Sequence, residues 1–171
     1  MSDAPTFLFV SYLAMTRPPA GDPLPAPLPD ARMAREKLSV DSYLTLYRAV
    51  GAPWSWDQRL KLPRAALAAF LAGPACDLFV LRLGEEAAGF CEFDSAAFPT
   101  VQLMNFGLLP AQQGRSLGPW LLDAALREIW RRNPGRVWLH SDTQDHPKAL
   151  RTYERAGFLL EERRWQGVTD L

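Results

Sequence analysis

Three closely spaced β-like segments in the middle of the chain constrain its fold more than any other feature. DLFVLRL from Asp77, AAGFCEFD from Ala87 and TVQLMNFGLL from Thr100 are rich in β-branched and aromatic residues, and only short connections, Gly84-Glu85 and Ser95–Pro99, separate them. Connections this short carry no crossover, so the three strands form an antiparallel meander. After Pro110 the apolar period changes. Leu121, Leu122, Ala125, Ile129 and Trp130 fall on one stripe, which predicts a helix over about 117–132. RVWLHS at 136–141 reads as a strand, and a helix joining it to the 103–109 strand makes those two strands parallel. A helix from Pro147 to Arg155 and a strand from Phe158 to Trp165 follow.

The N-terminal part is less regular. Thr6–Met15 reads as a strand. Residues 18–29 carry six prolines, a density that blocks both helix and ladder pairing, and form a proline-rich loop or extended arm. SYLTLYRAV predicts a helix over 42–50, stopped by Gly51 and Pro53, and RAALAAFLA a helix over 64–72, stopped by Gly73-Pro74. Trp54-Ser-Trp56-Asp57 makes a short aromatic loop between them. The expected fold class is α/β, with a mixed, mostly antiparallel central sheet and helices on both faces. A length of 171 residues suits one domain over 1–171, because halves would be too small for comfortable cores.

Charge and cysteine usage narrow the function classes. Lys plus Arg and Asp plus Glu are 19 each, so no basic surplus is available for general phosphate neutralisation, and nucleic acid is not expected as a partner. Cys76 and Cys91 form no CxxC or Cys/His pattern, and they read as reduced thiols in a cytoplasmic protein. No segment has the apolar length of a membrane span, and no signal peptide is expected. No His/Cys/Asp cluster has metal spacing, so no metal is expected.

Two segments carry chemistry. In Leu108-Leu109-Pro110-Ala111-Gln112-Gln113-Gly114-Arg115-Ser116-Leu117-Gly118 a strand ends, a loop turns and a helix begins near Ser116. The first amides of a helix lack intrahelical partners and carry the positive end of its dipole, so such a turn holds a diphosphate without a metal. It is equally readable as an ordinary βα turn with Ser116 as N-cap. It is neither a Walker loop nor a full GxGxxG. The second segment runs from Thr143 to Phe158. Asp145 or His146 caps its helix, Pro147 suits the first turn and Gly157 ends it. Ala149 and Tyr153 lie four apart and share a face, the one leaving room and the other presenting a phenol.

Together these segments resemble the GNAT superfamily of N-acetyltransferases. Gln113, Ser116 and Gly118 fall on the motif Gln/Arg-x-x-Gly-x-Gly/Ala, with Ser116 in the first glycine position. Ala149, Tyr153, Gly157 and Phe158 match Asn-x-x-Ala-x-x-x-Tyr-x-x-x-Gly-Phe, with His146 where Asn is usual. FGLLP, VWLHS, DHPKAL and the segment Tyr47–Gly51 with Trp56 resemble a bacterial subgroup of unassigned substrate. The resemblance implies acetyl-CoA as co-substrate and direct transfer to a primary amine of a small molecule or peptide in a ternary complex. It implies a splayed cradle strand whose Leu108 amide faces the thioester carbonyl, with Leu109 beside the pantetheine arm. It implies that amides of Gln113, Gly114, Arg115, Ser116, Leu117 and Gly118 hold the diphosphate, that His146 and Ala149 border the arm, and that Tyr153 protonates the departing thiolate. A homodimer is an expectation at the same family level.

A base is useful because an alkyl ammonium is protonated at pH 7. Strand alternation puts Phe90, Glu92 and Asp94 on one face. Glu92 is the first candidate, against a solvated strand carboxylate, and Asp94 the second. His140, at a strand end, is a base, a substrate contact or merely a strand-end histidine, and Asn105 an acceptor contact or an edge residue. Trp54, Trp56 and Asp57 fall where the family builds one wall of the acceptor pocket, and an aromatic pair beside a carboxylate suits a cation as well as it suits packing. Two other function classes stand beside the enzyme: a catalytically degenerate acyl-CoA-binding or sensor module, and a mononucleotide-binding protein.

Overall fold

The structure, a computed structural model, describes residues 6–169. In chain order the elements are β1 (Thr6–Met15), β2 (Ala31–Arg35), α1 (Val40–Gly51), α2 (Arg64–Ala72), β3 (Cys76–Leu83), β4 (Glu86–Asp94), β5 (Thr100–Leu108), α3 (Leu117–Trp130), β6 (Arg136–Asp142), α4 (Ala149–Ala156) and β7 (Leu159–Thr169). The seven strands form one open sheet in the order β2-β3-β4-β5-β6-β1-β7. Every neighbouring pair is antiparallel except β5 and β6, which the α3 crossover joins in parallel. The mixed, mostly antiparallel sheet with helices on both faces is the fold class the patterning predicts.

Alternation along β3 and β4 sorts side chains to two separate cores. Leu78, Val80 and Phe90 go to one face, under α1 and α2, with Tyr43, Leu46, Tyr47 and Leu67. Phe79, Leu81, Cys91 and Phe93 go to the other, under α3, with Leu121, Leu122, Leu126 and Ile129. A strand buried on both faces reads as a continuous apolar run, which is why DLFVLRL shows no polar alternation. Both thiols are free and buried. Burial pushes the Cys76 thiol up to about 12 and the Cys91 thiol well above its ordinary value, so neither supplies a nucleophile at neutral pH.

Two irregularities in β5 shape the molecule. Glu92 pairs with Asn105 and Phe93 with Leu103, so Met104 is an extra residue, a β-bulge. Before it, Val101 and Leu103 face the α3 core. After it the parity changes, and Asn105 and Gly107 face α1 while Phe106 and Leu108 face α3. The β5–β6 ladder also stops early. It pairs Thr100, Val101 and Gln102 with Arg136, Val137 and Trp138, and nothing beyond. The rest of β5 runs away from β6 and leaves a gap in the sheet.

Several boundaries differ from expectation. β2 has no strand signature in ARMAR and forms because β3 offers it an edge, from Ala31 opposite Leu83 to Arg35 opposite Phe79. α1 starts two residues early, where the Ser39 hydroxyl accepts from the Ser42 amide at 3.2 Å. α4 starts at Ala149 rather than Pro147 and has no side-chain cap. The side chains expected to cap it turn elsewhere: Asp145 accepts from the Ser141 hydroxyl and the Asp142 amide, and His146 from the Lys148 amide. Residues 18–29 form no regular element, as their prolines dictate, and Arg127 holds this arm by donating to the carbonyls of Ala20, Gly21 and Asp22. No described helix is long and apolar enough to cross a membrane.

The α3 stripe is the tightest packing in the chain, with Leu121, Leu122, Ala125, Leu126 and Ile129 all fully buried. Replacing Leu121 by Ala is expected to lower the free energy of unfolding by about 2–5 kcal/mol, because the helix cannot collapse into the space left behind. Urea denaturation checks it, and a loss below about 1 kcal/mol contradicts this packing.

Candidate active site

The gap between β5 and β6 opens into a cleft of about 550 Å³ that runs through the sheet, bordered by α1, the start of α3 and α4. Its floor is the unpaired edge of β5. The Leu109 amide donates to the Ala88 carbonyl at 2.8 Å, which commits it to β4. Successive amides of a strand point to opposite edges, so those of Leu108 and Phe106 face the gap. An extended ligand arm laid along this edge finds backbone groups that no β6 residue takes.

At one end of the floor the chain turns into α3. Gly114 has φ +76° and Ser116 φ +61°, both in the left-handed region. These turns present the loop amides to the cleft, and among the described residues the amides of Gly114 and Ser116 donate to no backbone carbonyl. Ser116 makes no side-chain cap, so its occurrence at the helix start is a matter of backbone, not of its hydroxyl. Pro119 at the third helical position has no amide to offer. A Cβ on Gly118 would lie 3.7 Å from Leu108 Cδ1 and Phe106 Cζ, so the helix start sits close to the strand edge.

Tyr153 stands on α4 at the far side. It is buried against Phe106 and Phe158, with ring centroids 5.9 and 6.0 Å away, and it lines the cleft. Its hydroxyl has no hydrogen-bond partner among the described residues. Burial, and after it the Asp145 charge, raises the phenol well above its ordinary value. It therefore keeps its proton and is a donor. Its neighbour His146 accepts from the Lys148 amide through Nδ1 at 3.0 Å, which leaves Nε2 as the protonated nitrogen of the neutral ring.

The opposite wall comes from the segment after α1. Trp56 packs where two glycines make room: a Cβ on Gly51 would lie 2.5 Å from its Cβ, and one on Gly107 3.3 Å from its Cη2. Trp54 reaches across to His146, with ring centroids 4.9 Å apart. Asn105 and His140 also line the cleft. His140 is an exposed residue that packs with Tyr12 and Trp138 on the open face of β6.

Four expected residues fall elsewhere. Leu109 does not border the cleft: strand alternation after the bulge sends its side chain to the α1 core, and its amide donates to the Ala88 carbonyl. Arg115 points along the surface and donates to Gln112 Oε1 at 2.7 Å. Glu92 is fully buried, neither a solvated carboxylate nor a group facing the cleft. Tyr43 and Arg59 donate to it, and Asn105 Nδ2 lies 3.4 Å from its Oε2. The alternation argument put Glu92 on the correct face, but that face is roofed by α1 and Arg59. Asp94 serves the following turn, accepting from the Ala96 amide at 2.9 Å.

The structure also adds residues. Lys148, just before α4, and Arg151 and Arg155 on it line the cleft, and none has an ion pair among the described residues. Their three- and four-residue spacing was visible in sequence but reads there as a solvated face. Asp142 lines it too, its carboxyl raised by burial and by Asp145. Among the described residues no three His, Cys, Asp or Glu side chains gather as a metal site.

Comparison with known proteins agrees with this geometry. A family model described as acetyltransferase (GNAT) family matches residues 43–158. No curated protein matches the chain. Among solved structures, a GCN5-related N-acetyltransferase from Sphaerobacter thermophilus superposes with TM-score 0.70 at 20% identity, over 93% of this chain and 50% of that one. The ribosomal-protein-S18-alanine N-acetyltransferase from Escherichia coli gives TM-score 0.60 at 17% identity, over 74% and 76%. A Bacillus subtilis acetyltransferase in complex with CoA gives 0.59 at 14%, over 77% and 78%. Identities this low show a shared fold. The chain spans only 50% to 61% of the length of several longer matches.

Ser116 in a left-handed conformation generates a prediction. An L-residue there costs about 1–2 kcal/mol, while a glycine adds about 0.4–1 kcal/mol of unfolded-state entropy to be lost. Ser116→Gly is therefore expected to raise stability, by about 0.5–1 kcal/mol, in thermal or urea unfolding. A loss of stability would mean that the hydroxyl makes a compensating bond.

Proposed function

The chain belongs to the GNAT family of acetyltransferases, and from that premise we propose that it moves an acetyl group from acetyl-CoA to a primary amine by direct transfer within a ternary complex. The observation that carries the proposal is the early end of the β5–β6 ladder, which leaves the Phe106 and Leu108 amides free on a strand edge that leads to the α3 N-terminus. A pantetheine arm is an extended chain with amides of its own, and a bare edge pairs with it as with a strand. The loop amides around Gly114–Gly118 and the helix dipole suit the diphosphate, and the unpaired Lys148, Arg151 and Arg155 add charge on the same cleft.

In this reading the neutral amine attacks the thioester carbonyl from the side of Trp54 and Trp56. The Leu108 amide donates to the carbonyl oxygen as negative charge gathers on it. The attack forms the C–N bond; collapse of the tetrahedral adduct then breaks the C–S bond and leaves a thiolate, which takes the Tyr153 proton, and water returns to the phenolate the proton that the adduct nitrogen loses. The amine sheds its own proton to water in the open cleft, because Glu92 is closed off behind Asn105. His146 supplies Nε2–H where the family motif has an amide side chain, and Ala149 keeps the helix surface low beside the arm. The acceptor is an amine of a small molecule or peptide, and the proposal keeps the chain as one cytoplasmic domain.

Calorimetric titration tests the reading: acetyl-CoA is expected to bind and ATP not. Tyr153→Phe is expected to keep that affinity within about twofold and to lower kcat by about 100-fold or more. Binding without turnover of any amine would instead favour a degenerate acyl-CoA-binding module, and absence of binding would sink both. The raised phenol adds a pH test. Tyr153 must be protonated to act, and its pKa lies above its usual value, so it imposes no alkaline fall in kcat up to about pH 10. An alkaline limb below that, absent from Tyr153→Phe, would contradict the raised phenol while leaving Tyr153 as the acid, whereas an unchanged kcat in Tyr153→Phe contradicts the role itself.

A further inference from the structure

Glu92 is the one fully buried carboxylate of the described residues whose function the transfer reaction does not explain. It stands on the α1 face of β4, with the Tyr43 hydroxyl on one oxygen and Arg59 and Asn105 on the other. Burial works against the Arg59 charge, and the Glu92 carboxylate outweighs it, so the guanidinium pKa is raised; burial first and then Glu92 raise that of Tyr43. Tyr43 therefore stays a donor.

As a device for stability alone this arrangement is poor, because a buried ion pair is matched or bettered by apolar groups of the same size. Its partners point to a different purpose. Arg59 belongs to the segment 52–63, which links α1 to α2, and no residue of that segment is buried. Only Trp54, Trp56 and Arg59 are half-buried there. Its one apolar anchor is the half-buried Trp56, packed against Tyr47 and Phe90, and the exposed stretch beyond it opens easily. Arg59 ties it down: the guanidinium reaches Glu92, lies over Phe70 at 4.7 Å, and the backbone amide donates to the Tyr47 hydroxyl at 3.4 Å. Trp54 and Trp56, the wall of the cleft opposite α4, ride on the same segment, and Trp54 meets His146 across it.

We propose that Glu92 is a positioning residue and not the proton acceptor: through Arg59 it fixes the 52–63 segment, and with it Trp54 and Trp56, at the place where they form the wall for the acceptor amine. Through Asn105 the same carboxylate ties that wall to the splayed half of β5, so the acceptor side and the thioester floor share one anchor. The catalytic part of this inference rests on the acetyl-transfer reading, whereas the anchoring part does not.

The experiment compares wild type with Glu92→Gln and with the double variant Glu92→Gln/Arg59→Met. The double variant removes both charges, so it is expected to fold even where a lone buried Arg59 does not. Hydrogen exchange over 52–63 is expected to speed up about tenfold or more in both, with exchange in α3 unchanged. Acetyl-CoA affinity, read by calorimetry, is expected to stay within about twofold. Spermidine, tyramine, lysine methyl ester and an alanine-terminated peptide are the acceptor probes. For the amine that wild type acetylates, KM is expected to rise about tenfold or more while kcat falls far less. Unchanged exchange over 52–63 in both variants overturns the anchoring. A loss of kcat with KM unchanged makes Glu92 the base and overturns the positioning role. A wild type that binds acetyl-CoA but acetylates no probe removes support from the transfer reading, and exchange alone then decides the anchor.

Discussion

The early end of the β5–β6 ladder governs the rest of this molecule. Parallel neighbours in a sheet normally pair along their length, because an unpaired backbone group away from water is costly. Here three residues of each strand pair and the remainder diverge. Divergence is sustained from both sides. On the β4 side the ladder continues to Gly89 opposite Leu108, so β5 stays with β4 as it leaves β6. On the other side β6 stays with β1 from Val137 to Asp142. The sheet is therefore two sub-sheets joined at one end, and α3 spans the crossover between them.

The bulge at Met104 gives the gap its chemistry. Without an extra residue, strand parity would send Asn105 to the α3 core and Phe106 to the α1 face. With it, Phe106 and Leu108 join the apolar packing beneath Tyr153, and Asn105 and Gly107 face the α1 wall. Gly107 is needed there, since a Cβ would lie 2.6 Å from Val50 Cγ1. The cleft thus has an aromatic side, where the phenol keeps its proton, and a polar and aromatic side, where Asn105 meets Glu92. Each side is built on a different core, so the two can be perturbed separately.

Much of this was legible in the residues, for identifiable reasons. α2 and the β3–β5 meander follow from apolar runs bounded by Gly and Pro, which are strong local signals. The turn into α3 and the Ala149–Tyr153 spacing were legible because helix geometry fixes what lies four residues apart. What escaped was long-range. β2 is a strand only by virtue of the β3 edge, and ARMAR carries no mark of it. Leu109 was expected beside the arm from the family resemblance alone, and the shifted parity after the bulge sends its side chain to the α1 core. Glu92 was placed on its correct face, yet its burial depends on Tyr43 and Arg59, 49 and 33 residues away. Sequence periodicity gives the face of a strand and not what covers it. The Met104 bulge also left no sign in TVQLMNFGLL.

The central claim is that the bare edge of β5 and the start of α3 form one continuous seat for acetyl-CoA. A crystal structure of the protein grown with CoA tests it most directly. The account predicts the pantetheine arm in the β5–β6 gap, hydrogen-bonded to backbone groups of Phe106 and Leu108, with the diphosphate on the Gly114–Gly118 turn and the sulfur beside the Tyr153 hydroxyl. CoA bound outside the gap, or a β5–β6 ladder closed beyond Gln102 with the ligand present, would contradict it.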